Sequence, residues 1–401
     1  MTELIDTLEL APGRRLSVIS GDAGLSAVPM VHDDSRHWRR AKPGDGVAEA
    51  LLDVLAQTAG SVRRGRFTVR SWSGRSAAGE RSVGVDQTNE SVIVGEKAVV
   101  KWATHLQDGP HPAPRRISAL REAGFSGMPA PWGLVTWQQP DGADTVVASV
   151  DEYLPGAVDG WTWAVDLITD AAGVGRPAPY VDAAGRVGEL IAEMHAALAA
   201  TASEATQEDA SGWRDAAQQT LESVCALGDH ASTRCARARR DELTAVLDGL
   251  GSLAGTPIIE GHGDLHVGQI LRTAGRFVVT DFDGNPVLAA AQRAQPIPAA
   301  LDIAGMTQSL AHAAIVAAKY TSFDASTLAD VDAAGRAAFL EAYTGRLADL
   351  GHAGIYDPGS LRAFRVQQVL REILYAARHL PRWMYVPDAA LPDVLDERSP
   401  S

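Results

Sequence analysis

Residues Glu260–Pro286 read EGHGDLHVGQILRTAGRFVVTDFDGNP. The segments QILR (269–272) and RFVVT (276–280) flank a turn centred on Thr273, Ala274 and Gly275. Short strand-like runs on either side of a Gly-bearing turn predict a β-hairpin. Folded in that way, the hairpin sets Gln269 and Asp281 side by side at its open end. Asp264 sits five residues before Gln269, in the loop that enters the hairpin. A carboxylate and an amide oxygen then converge as hard donors of the kind Mg²⁺ takes when it also bridges phosphate oxygens. The second carboxylate, Asp264, is left to orient a hydroxyl and accept its proton.

This order of parts, H-x-D-x-x-x-x-N, a hairpin and D-F-G, is the wiring of phosphoryl transfer in kinase-like folds. Here Gln269 stands where Asn is usual, and the second element reads DFD with Gly284 one place late. Asp283 joins Gln269 and Asp281 as an expected metal ligand. His262 is expected to hold the loop by hydrogen bonds, and His266 to face an acceptor sugar or pack.

Outward from this stretch, residues 1–85 read as a small α+β cap and 86–155 as a second sheet unit. Residues 156–401 read as a helical lobe that encloses the hairpin. The fold class expected is α+β and bilobal, protein-kinase-like, with a ligand cleft between lobes. In the second unit SVIVG and AVVKWA form a hairpin around Gly95-Glu96-Lys97, which puts Lys101 on an otherwise apolar strand. A Lys there is costly unless paired, and a phosphate chain is a suitable partner. The preceding loop, DQTNES, offers Thr88, Asn89 and Ser91 to phosphates. Glu152, Tyr153 and Leu154, in DEYLPG, end the last strand where a hinge offers backbone groups to adenine.

The composition fits these roles. The chain has 401 residues, 46% hydrophobic and 21% charged, enough to bury sizeable cores. A net charge of −14 argues against nucleic acid and anionic membrane as partners. Two cysteines, Cys225 and Cys235, exclude a disulfide framework and a Cys-based zinc site. MTELIDTLEL lacks a basic leader. The nearest candidate for a membrane-length apolar run, AGMTQSLAHAAIVAAKY, is broken by Gln308, His312 and Lys319. A cytoplasmic, monomeric protein is expected.

With these motifs in hand, the chain resembles the actinobacterial maltokinases and glucosamine kinases, relatives of the aminoglycoside phosphotransferases. The likeness runs over nearly the whole chain through QTNESVIVGEKAVVKW, DEYLPGAVDGW, GHGDLHVGQIL, TDFDGNP, DIAGM and YAARHLPRW. It implies ATP and Mg²⁺, with Asp264 as base, Gln269 and Asp281 on the metal and Lys101 on the phosphates. The maltokinase strings resemble HGDYHLGQ and DFEGEP. Leu265, Val267, Asp283 and Asn285 depart from them beside the catalytic Asp and the metal loop. Those departures favour glucosamine, phosphorylated at its 6-hydroxyl, over maltose as acceptor. An aminoglycoside-type phosphotransferase and an inactive kinase-fold binding protein are the further alternatives. The family's early helical acid, partner of the strand Lys, is replaced by Arg115 and Arg116, with Glu122 the nearest acid. An ammonium on the sugar needs acidic partners. Asp302 and Glu372 are expected to supply them, with Gln368 and Tyr375 on the same helical face and Trp383 against the ring.

Overall fold

A computed structural model describes residues 3–22, 24–32, 37–83, 90–106 and 109–397. The chain divides into two compact units.

The first unit comprises Met1–Ser118, Met128–Gly156 and Asp283–Gln295. It opens with an antiparallel meander of β1 (Glu3–Ala11), β2 (Arg14–Gly21), β3 (Gly24–His32) and β4 (Trp38–Arg40). Helix α1 (Val47–Ala56) follows and buries Val47, Leu51, Leu52 and Leu55. Gly46 at its N-cap brings no side chain to satisfy the first N–H groups. The carboxylate of Glu80 does so from the chain beyond, accepting from the backbone of Gly46, Ala48 and Glu49 at 2.7–3.1 Å.

Glu80 opens β7 (Glu80–Ser82) of a seven-stranded antiparallel sheet. The others are β5 (Ser61–Arg64), β6 (Phe67–Ser71), β8 (Glu90–Val94), β9 (Ala98–Trp102), β10 (Pro131–Gln138) and β11 (Asp144–Glu152). Their order is β5-β6-β10-β11-β9-β8-β7, so the sheet draws strands from both sides of position 85. One core joins the meander, α1 and the sheet: Leu16, Val18, Leu51 and Leu52 belong to the same buried cluster as Val100, Trp102, Trp137 and Val150. The β8–β9 turn falls where expected, with Gly95 and Glu96 both at positive φ (59° and 52°). Helix α2 (Ala113–Glu122) stops before Gly124, whose φ of 76° ends it.

The second unit comprises Ala119–Gly127, Ala157–Phe282 and Pro296–Ser401. Its helices are α3 (Gly160–Val174), α4 (Ala178–Leu198), α5 (Gln207–Cys225), α6 (Ala231–Ala238), α7 (Arg240–Asp248), α9 (Ala299–Tyr320), α10 (Ala325–Asp349), α11 (Leu361–His379) and α12 (Tyr385–Asp396). The short α8 (Ala290–Arg293) belongs to the first unit. Two small ribbons lie among the helices: β12 (Ser203–Glu204) with β13 (Pro257–Ile258), and β14 (Ile270–Arg272) with β15 (Phe277–Val279). Helix α9 is buried nearly all round, including Asp302, Gln308 and His312. Polar groups so placed must find partners inside the protein. No helix among the described residues is long and apolar enough to cross a membrane. Both cysteines are free thiols.

Candidate active site

The hairpin of the opening stretch is present. Ile270 pairs with Val279, Leu271 with Val278 and Arg272 with Phe277. The register carries Gln269 opposite Thr280, one residue from the pairing expected with Asp281. Thr280 donates from both its N–H (2.9 Å) and its hydroxyl (3.1 Å) to the Gln269 carbonyl, which ties the open end together. Asp281 follows immediately, exposed and at a φ of +68°, a backbone state that L-residues rarely adopt.

His262 joins the two loops. Its Nε2–H donates to the Thr280 carbonyl at 3.0 Å and its Nδ1 accepts from the Asp264 N–H at 3.3 Å. The ring is fully buried against Phe282, with centroids 5.2 Å apart. It is a brace, as the sequence suggested. Two glycines let neighbouring helices close on the loop. A Cβ at Gly160 of α3 would stand 1.6 Å from the Val267 carbonyl oxygen, and one at Gly305 of α9 would stand 2.3 Å from that of Leu265. Neither position admits a side chain without moving the loop.

Asp302 departs from its expected place against the sugar amine. It is wholly buried on α9, beneath the loop. Oδ2 accepts from the His262 N–H at 2.7 Å and lies 3.3 Å from His195 Nε2, while Oδ1 accepts from the Gly263 N–H at 2.8 Å. Burial pushes this carboxyl up, but the hydrogen bond and charge of His195 and the backbone donor outweigh it, and the net shift is downward. His195 is fixed in turn by the Tyr343 hydroxyl at 2.8 Å. Asp302 thus holds the loop that carries Asp264.

Helix α11 meets the same loop. Gln368 donates to Glu372 Oε1 at 2.9 Å, so these two share a face as expected. Glu372 Oε2 lies 3.2 Å from His312 Nε2. Burial drives the Glu372 carboxyl up to about 8, and the charge of Asp264 adds to the rise. Tyr375, one turn on, is 44% exposed and packs on His379. Arg371, which sequence reading passed over, interacts electrostatically with Asp264. Trp383 stands edge-on to Trp161 at 5.9 Å, and Trp161 stacks on His266 at 6.2 Å, an aromatic row leading to the loop that bears Asp264. His266 accepts from the Gly268 N–H and stands 3.4 Å from the Gln269 amide. Burial lowers it to about 4, so it is neutral at ordinary pH.

In the first unit, Lys101 of β9 is the cross-strand neighbour of Ser91 on β8 and Ser149 on β11. Tyr153 donates its N–H to the Lys97 carbonyl at 2.8 Å, and Glu152 accepts from the Ala130 N–H at 3.2 Å. Leu154 follows, half-buried. Thr88 and Asn89 lie outside the described residues. Arg116, where an acid was expected, is buried and donates to the Arg293 carbonyl at 3.1 Å; Glu122 is exposed. Asp283 stands 3.9 Å from His111 and bears electrostatically on Arg293.

Among the described residues no three His, Cys, Asp or Glu side chains gather as a metal cage. The donor set of Asp281 and the Gln269 amide fits an ion that keeps most of its waters and takes the rest of its ligands from a nucleotide.

No family model matches the chain. A protein of Mycolicibacterium smegmatis described as glucosamine kinase is 62% identical over 394 residues, 98% of each chain. A glucosamine kinase of Streptacidiphilus jiangxiensis is 45% identical over 403 residues, 98% of this chain and 91% of the other. A solved structure of glucosamine kinase in complex with glucosamine, ADP and inorganic phosphate superposes with a TM-score of 0.87 at 42% identity, covering 98% of this chain and 94% of that one.

Proposed function

The chain belongs to the glucosamine kinases, and we infer that it transfers the γ-phosphate of ATP to the 6-hydroxyl of glucosamine, with Mg²⁺ held by Gln269 and Asp281. The observation that carries this reading is the loop pair itself. Asp264 is presented by a backbone that Asp302 and His262 hold from beneath, and the oxygen donors stand at the open end of the adjoining hairpin.

Asp264 would accept a hydrogen bond from the sugar hydroxyl, align it for in-line attack and take its proton late, because the transition state is loose. Lys101 would steady the phosphates, with Ser91 beside it. The Glu152 carbonyl and the Leu154 peptide group would read the base, since Glu152 and Tyr153 spend their N–H groups on the carbonyls of Ala130 and Lys97. The metal, when bound, draws charge from the β- and γ-phosphate oxygens. Asp283, paired with His111, is the weaker of the three proposed metal ligands. Gln368, Glu372 and Tyr375 would contact the sugar, with Glu372 reading its amine, and Trp383 and His266 would border the ring.

Steady-state ADP release is the test, run with Mg-ATP against glucosamine, glucose, N-acetylglucosamine and maltose. Preference for glucosamine is expected, and preference for maltose would overturn the reading. Asp264→Asn should cut kcat by about 10²–10⁴-fold while nucleotide still raises the Tm. Retained turnover would remove Asp264 from its role.

A further inference from the structure

Behind Glu372 runs a line of buried polar side chains. Arg365 of α11 is gripped by both carboxylate oxygens of Glu397. Its Nε–H donates to Gln308 Oε1 on α9 at 3.2 Å. A guanidinium has donors only, so it fixes which end of the Gln308 amide it meets. The other end, Nε2, therefore points its N–H at His312 Nε2, 3.1 Å away. That nitrogen must then be the accepting lone pair of a neutral ring whose proton sits on Nδ1.

The same Nε2 is the atom 3.2 Å from Glu372 Oε2. A carboxylate oxygen there meets a nitrogen that has no proton to give and whose one lone pair is already taken by Gln308. Oε2 is buried with no donor directed at it, whereas Oε1 accepts from Gln368. A carboxylate would leave the buried Oε2 without a donor, so the surroundings favour the neutral acid, with Oε1 as its carbonyl and Oε2 as its hydroxyl.

We propose that the line Arg365–Gln308–His312 keeps Glu372 a neutral carboxylic acid in the sugar-free enzyme, so that taking up a sugar ammonium expels one proton to solvent. The proposal rests on the reading of Glu372 as the amine's partner. In the step, the Oε2–H bond breaks, the proton leaves with water and the ammonium arrives with its own charge. Glu372 is left as a carboxylate paired with it. A neutral sugar finds an uncharged carboxyl and moves no proton. The enzyme thus couples recognition of the amine to protonation at a group that takes no part in phosphoryl transfer.

The groups around Glu372 agree with this. From the catalytic loop Asp264 disfavours a second negative charge, and from its own helix Gln368 supplies one amide donor. Arg371 is engaged with Asp264. From α9, His312 is held neutral by burial, by Arg365 and by His266, and falls to about 3. An arriving ammonium reverses the balance by favouring the charged carboxyl.

Calorimetric titration of the intact protein with glucosamine, in buffers of different ionisation heat at about pH 6.5, counts the protons; this lies below the ordinary amine range. Release of about one proton per site is expected with glucosamine and none with glucose. Infrared difference spectra should show a protonated carboxyl in the sugar-free enzyme that disappears on adding glucosamine and is absent from Glu372→Gln. Gln308→Leu frees His312 to take the Nε2–H tautomer and donate to a carboxylate. Proton release should then vanish, and at about pH 7 the KM for glucosamine should fall roughly tenfold, since only about a tenth of a group titrating near 8 is ionised there. If Glu372→Gln weakens glucosamine but the wild type shows neither the carboxyl signal nor proton release, the proton-linked proposal is overturned while the reading of Glu372 stands. If Glu372→Gln leaves the KM for glucosamine unchanged, both fall together.

Discussion

Two buried acids of the second unit, one under the catalytic loop and one on α11, meet opposite fates. Asp302 is wholly buried, yet its carboxyl stays below the usual carboxylate range. Glu372 keeps some side-chain exposure (23%), yet its carboxyl rises to about 8. Depth does not explain the difference; donors do. Asp302 faces two backbone N–H groups and His195. Glu372 receives one amide on Oε1, has no donor on the buried Oε2 and feels Asp264. The first arrangement favours charge and makes a fixed anchor. The second favours a proton and leaves a group free to change state when a ligand comes.

The sharpest break of this contrast is Asp302→Asn. It turns one acceptor oxygen into an amide aimed at backbone N–H groups that remain buried. A loss on the order of 3 kcal/mol is expected in urea unfolding, because hydrogen bonds to charged groups weigh about twice the neutral kind. Activity should fall with it as the loop loosens. The matched change Glu372→Gln should behave differently. A neutral amide replaces a neutral acid, and its oxygen still accepts from Gln368. Stability should hold within about 1 kcal/mol while the KM for glucosamine rises roughly 10–100-fold. A stability loss as large as that of Asp302→Asn would mean that Glu372 is an anchor too.

The smallest effect is the most diagnostic. A group whose folded pKa is raised holds its proton longer in the folded state, so its contribution to stability falls as pH rises. For Glu372 the fall spans the usual carboxylate range up to about 8 and then levels. Asp302, with a lowered folded pKa, contributes fully above the unfolded value of about 3.9 and loses that contribution as pH falls through its folded value. Subtracting the Glu372→Gln stability profile from the wild-type profile should leave the first slope. A flat difference between about pH 5 and pH 8 would place Glu372 with Asp302 as an ionised group.

The sequence carried the hairpin because everything that defines it is local: a turn, two short apolar runs and acids at fixed spacing. The placement of Asp264 before the hairpin and of Gln269 and Asp281 at its open end could be read from spacing, as could the bracing role of His262. Asp302 was misplaced because an acid opening a helix looks the same whether the helix faces solvent or core. Only the packing of α9 reveals that it points under a loop forty residues earlier. His195, Arg365 and Arg371 were missed for the same reason, since their partners come from other elements. One signal was available. Gln308 and His312 interrupt the nearest candidate for a membrane-length apolar run, and polar residues on a helix buried all round need partners. The seven-stranded sheet was only partly legible. Short strands such as β5 and β7 declare their period but not their neighbours.

Glu397 grips Arg365 from beyond the end of α12, and it also holds Arg336 of α10, which is bound to Asp332. During synthesis the loop that bears Asp264 leaves the ribosome long before this residue does. Asp264 and its support can therefore take shape while Arg365 still lacks the carboxylate that holds it. If Glu372 reads the amine, the support for that reading is completed last, and a chain halted short of Glu397 should lose preference for the amino sugar before it loses the loop around Asp264.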